Sequence, residues 1–81
     1  MENPKYTLEE LRARSRSAVS NPEFVRIAMG QSPSATYKLA LAKTGSVRKA
    51  KATRFLAILL RDYGNEAFIK ATTNPAYAQR D

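Results

Sequence analysis

Apolar residues recur along this chain at intervals of three and four, and the runs are broken by serine, asparagine, glycine and proline. That period is helical, because an α-helix turns once in about 3.6 residues. The clearest run is Ala52, Phe55, Leu56, Leu59, Leu60 and Tyr63, which predicts an amphipathic helix with one broad inward stripe. Gly64 is expected to stop it. Asn65 is then expected to cap a short helix, EAFIKATT, that Asn74 and Pro75 end. Nowhere does the chain show the two-residue alternation of a half-buried strand, and it carries no internal repeat.

Capping signals divide the N-terminal half. Thr7 with Glu10 three residues on makes a capping box, and Tyr6 and Leu11 occupy the positions of a hydrophobic staple. Leu8, Leu11 and Val19 are expected to face inward and Arg12, Arg14 and Arg16 outward, with the segment fraying over SRSAVSN. Asn21 caps a second helix, with Pro22 at its first position and Glu23 complementing the helix dipole. Val25, Ala28 and Met29 give it an apolar side, and Gly30 is expected to end it in the left-handed conformation. Ser32 and Pro33 open a third helix that runs through ATYKLALAK to Gly45. A joint of one or two residues forces a large angle between the two helices, as in a helix-turn-helix. GSVRKAKA reads as a basic connection, partly helical. The fold class that follows is all-α: a compact bundle of about five short helices containing a helix-turn-helix. It makes one domain over 1–81, with an ordered core at about 6–74, a short N-terminal arm and a loose tail.

Composition removes most kinds of chemistry. With no cysteine and no histidine, the chain offers neither a disulfide nor a thiolate metal site, and it lacks the commonest general base. Glu9 and Glu10 belong to the capping turn, and Asp62 and Glu66 are separated by Gly64, so neither is an acid/base pair. No GxxxxGK[ST] phosphate loop is present. An enzyme is not expected, and no cofactor or metal is implied. The longest apolar run, FLAILL, is far too short to span a membrane, and the polar start MENPKYTLEE does not read as a signal peptide. A cytoplasmic location is expected.

Charge changes the picture more. The net charge is +7, and it is unevenly placed: eight basic residues and no acidic one lie between Phe24 and Arg61, with all seven carboxylates outside. An acid-free basic middle flanked by acidic ends is what phosphate-binding surfaces look like.

The stretch NPEFVRIAMGQSPSATYKL resembles the helix-turn-helix of the lambda-repressor-like (Cro-type) DNA-binding domains, and it is most similar to their antidote-like members. Asn21, Gly30 and Ser32 stand where that family opens its first motif helix, closes it and starts the recognition helix. Val25, Met29 and Leu39 fall on its buried apolar positions, whereas Arg26, Gln31 and Thr36 depart from its usual residues. ATRFLAILLRDYG and NEAFIKA resemble its next two helices, so the likeness spans about residues 8 to 71. The resemblance implies a recognition helix at about 33–43 that meets base edges through Ser34, Tyr37 and Lys38. Ser32, Arg26, Lys43, Arg48, Lys49 and Lys51 are then the candidate phosphate contacts.

The resulting expectation is a small transcriptional regulator of phage, plasmid or toxin–antitoxin type that binds double-stranded DNA as a homodimer. Two alternatives stand beside it. One is a basic helical adaptor that binds another protein, such as RNA polymerase or an acidic partner. The other is an RNA-binding helical protein, for which only Tyr6, Tyr37, Tyr63 and Tyr77 offer stacking surfaces.

Overall fold

The computed structural model describes residues 5–73, and among these it has five helices and no strand. They are α1 (Leu8–Arg14), α2 (Arg16–Val19), α3 (Pro22–Gly30), α4 (Pro33–Thr44) and α5 (Val47–Thr73). The all-α bundle expected from the hydrophobic period is the fold. Asn74 and Pro75, expected to end the last helix, lie outside the described residues, as do the arm before Lys5 and the tail with Tyr77.

Local chemistry sets the helix starts as read from the sequence. Thr7 Oγ1 accepts from the Glu10 amide at 3.1 Å, and Glu10 Oε1 accepts from the Thr7 amide at 2.9 Å. Asn21 Oδ1 accepts from the Glu23 amide at 3.0 Å, and Ser32 Oγ from the Ala35 amide at 3.3 Å. Each bond satisfies a donor that the first turn leaves without an intrahelical partner. Gly45, at φ 68°, closes α4 in the left-handed conformation.

Several expectations are corrected. SRSAVSN does not fray. Ser15 is fully buried, its hydroxyl donating to the Arg12 carbonyl at 3.4 Å, and Ala18 and Val19 of α2 are buried. Within GSVRKAKA only Gly45 and Ser46 form the connection, and α5 already begins at Val47, where Ser46 Oγ accepts from the Lys49 amide at 3.2 Å and Ala50 is fully buried. Gly30 has no positive φ and remains in α3. The joint turns instead at Gln31 (φ −133°, ψ 158°) and Ser32 (φ −65°, ψ 161°), both extended. Pro33 is the cause, because its ring disfavours the helical conformation in the residue before it.

The buried face of the α3–α4 pair is also rotated from the one that the resemblance implied. Met29 is 59% exposed, Leu39 is 41% exposed and Val25 is only partly buried. Phe24 and Ala28 point inward on α3, and Thr36 and Ala40 on α4. Phe24 has far more apolar surface to bury than Val25, which favours turning α3 by one position. On α4 the reason is proximity. Thr36 and Ala40 are small, as are the buried Ala50, Thr53 and Ala57 of α5, and small side chains let two helix backbones approach closely.

α5 is the spine of the molecule and packs against each of the other four helices. Its expected single stripe is too narrow: Ala50, Thr53, Ala57 and Ile58 are buried together with Ala52, Phe55, Leu56 and Leu59. A helix covered around its circumference has neighbours on all sides. Gly64 (φ 90°, ψ 178°) breaks it into limbs over 47–63 and 65–73, and the second limb returns Phe68 and Ala71 to the core. The N-terminal segment is tied to this spine by Tyr63, whose hydroxyl donates to the Tyr6 carbonyl at 2.7 Å. The Tyr6 ring meets Phe55 edge-on, with centroids 5.3 Å apart.

Candidate nucleic-acid interface

Ser32, Ser34, Tyr37 and Lys38 line one open cleft between the start of α4 and the first limb of α5. The three side chains expected to meet base edges are therefore together, beside the serine expected to meet phosphate. Ser34 and Lys38 stand one turn apart on α4 and are exposed. Ser32 Oγ is occupied as the acceptor of its helix cap, which leaves its proton available to an anion.

α5 contributes two cations that were not among the expected contacts, Arg54 and Arg61. The Arg54 guanidinium is held 5.5 Å from the centroid of the Tyr37 ring and 5.5 Å from that of Phe55. Its Nε is buried without a hydrogen-bond partner. Arg61 is partly spoken for, since its Nε lies 2.9 Å from Asp62 Oδ1. A sequence signal for these two exists: Lys51, Arg54, Ile58 and Arg61 follow the spacing of a single helix face. Lys51 is exposed one turn before Arg54, so it extends the same basic edge.

The remaining expected contacts lie elsewhere. Lys43, near the end of α4, forms an ion pair with Glu23 at the start of α3. The hydrogen bond from Lys43 and its charge hold the Glu23 carboxyl below its ordinary pKa. Arg26 lies by a shallow depression with Val25, Met29, Thr72 and Thr73. Arg48 and Lys49 line a different cleft, with Arg14 and Arg16, where α1 and α2 meet the start of α5. Two cations in the first turn of a helix oppose the helix dipole, and no carboxylate in that turn compensates them.

No family model, no curated protein and no solved structure matches the chain. Among the described residues no helix is long and apolar enough to cross a membrane. Nor do three or more aspartate, glutamate, histidine or cysteine side chains there gather to hold a metal ion. Both clefts are lined by cations and hydroxyls, without a carboxylate.

Proposed function

We propose that this protein is a small DNA-binding regulator that lays α4 against double-stranded DNA. Lys38 and Ser34 face the base edges, while Arg54, Lys51 and the Ser32 cap meet the backbone. The observation that carries the reading is the cleft that gathers Ser32, Ser34, Tyr37 and Lys38 with Arg54 and Arg61. Ser34, Lys38 and Ala42 are exposed one turn apart, so α4 offers a narrow, mostly small-residue ridge suited to the major groove. Binding as a homodimer at an operator, occluding a promoter, belongs to the same proposal. A single module covers only a modest area of DNA, and two half-sites multiply the affinity.

Among the described residues, the aromatic side chains favour duplex DNA over single-stranded RNA. Tyr37 is already engaged by Arg54, Tyr6 packs edge-on against Phe55, and Tyr63 is tied to the Tyr6 backbone. Stacking of splayed bases would need rings that are free.

The test is gel retardation of the DNA upstream of the protein's own gene against unrelated DNA of the same length. Lys38→Ala is expected to reduce the preference for the specific fragment by the equivalent of about 1–3 kcal/mol, the worth of a good lysine–guanine contact. Binding to unrelated DNA should fall less. An unchanged ratio would remove α4 from the base edges.

A further inference from the structure

The phosphate contacts expected at Arg48 and Lys49 do not share a face with the α4 cleft. At about 100° per residue, Arg48, Lys49 and Ala52 centre on a direction about 160° around α5 from that of Arg54, Ile58 and Arg61. α1 and α2 wall the first cleft and α4 walls the second, so the two occupy different faces of the spine, with the Phe55 ring between Arg14 of the first and Arg54 of the second.

The α1–α2 cleft is equipped as a polyanion surface in its own right. Arg14, Arg16, Arg48 and Lys49 line it from three helices, and no carboxylate does. None of the four forms an ion pair with a described residue. Arg14 is positioned by two rings, its guanidinium lying 5.6 Å from the centroid of Tyr6 and 5.5 Å from that of Phe55. Ser20 and Asn21 add polar groups at the rim.

We propose that this second cleft binds the backbone of a second DNA duplex, so that one molecule bridges two duplexes. The inference rests on the reading of α4 as a DNA-binding helix. Charge selects the ligand class, because four cations in one cleft, none ion-paired to a described residue, attract phosphates without regard to sequence. Stiffness selects two duplexes rather than one. DNA has a persistence length of about 50 nm, whereas the longest extent of the protein is 34 Å. A straight duplex laid on α4 runs past Arg48 and Lys49, which lie about 160° around α5, whereas a second duplex reaches them without bending.

The experiment uses the full chain and two duplexes of the same short sequence, one immobilised and one fluorescent and free. The parent protein should carry the free duplex onto the immobilised one, and sedimentation should find more than one duplex per protein chain at DNA excess. R16Q/R48Q/K49Q should still bind a single duplex, with affinity within a few-fold of the parent, and should lose at least tenfold of the captured duplex. K38Q/R54Q should lose capture as well. R48Q and K49Q remove charges that oppose the dipole of α5, and a thermal melt checks that the fold is retained.

Undiminished capture by R16Q/R48Q/K49Q would overturn the proposal, because bridging would then arise from self-association through the α4 face. Binding of one duplex by the parent without capture of a second would overturn it too, while leaving the α4 reading intact. Failure of the parent to bind any duplex would overturn both.

Discussion

At the scale of single residues, the core and the clefts make different demands. Leu56 and Leu59 are fully buried in the main apolar cluster, where a truncated side chain leaves a cavity that its neighbours fill only in part. Leu56→Ala and Leu59→Ala should each cost about 2–5 kcal/mol, measured by denaturant unfolding. That is a large share of the stability available to a domain this small. Parent-like melting of both variants would place the core elsewhere. Buried hydroxyls are not loose ends in this packing. Thr53 donates to the Lys49 carbonyl at 2.8 Å, and Thr36 to the Gln31 carbonyl at 3.5 Å, so α4 and α5 can meet without an unsatisfied hydroxyl there. Arg54 is the residue at which core and surface join. Its Nε is buried and its guanidinium lies by the rings of Tyr37 and Phe55, while the side chain also lines the cleft.

At the scale of elements, the three glycines separate turn geometry from mere position. Gly30 is helical with open space where a Cβ would be built, whereas Gly64 has φ 90° in equally open space. Gly30→Ala should therefore stabilise the protein by about 0.4–1 kcal/mol, because alanine restricts the unfolded chain and fits a helix. Gly64→Ala should destabilise it by about 1–3 kcal/mol through backbone strain alone. Thermal melts of the two variants should shift in opposite directions. A destabilising Gly30→Ala would restore the left-handed turn that the capping pattern implied.

The α3–α4 pair is further clasped by Lys43 and Glu23. A carboxyl whose folded pKa is lowered adds stability that is fully present above its unfolded pKa and is lost as pH falls through the folded one. The clasp is therefore expected to open only on acidification below the ordinary range of a glutamate. Lys43→Ala should move the Glu23 titration, followed by carbon NMR, back up toward that range.

At the scale of the whole molecule, charge distribution decides what is bound and how tightly. Neutralising a phosphate contact lowers the slope of log affinity against log salt by about 0.9. K38Q/R54Q should lower the slope for a single specific duplex by about that amount for each backbone contact it removes. An unchanged slope would point to an acidic protein partner instead. Arg61 should matter less, because Asp62 already neutralises part of its charge.

The sequence by itself determined the helical class, the starts of α1, α3 and α4, and the group of Ser32, Ser34, Tyr37 and Lys38. These depend on neighbours within about one turn: a serine or asparagine cap, a proline at the first position, and an i, i+4 pair on one face. The start of α5 was written in the same terms. Gly45–Ser46 is a stop followed by a cap, obscured by the cations after it. Only the tertiary structure decided which way α3 and α4 turn about their own axes. That choice weighs the surface of Phe24 against that of Val25, and the closeness allowed by Thr36 and Ala40 against the bulk of Leu39. It likewise decided that Arg54 joins the α4 cleft while Arg48 and Lys49 face away from it. A helical repeat fixes the angle between two side chains on one helix, but only packing fixes what each of them faces.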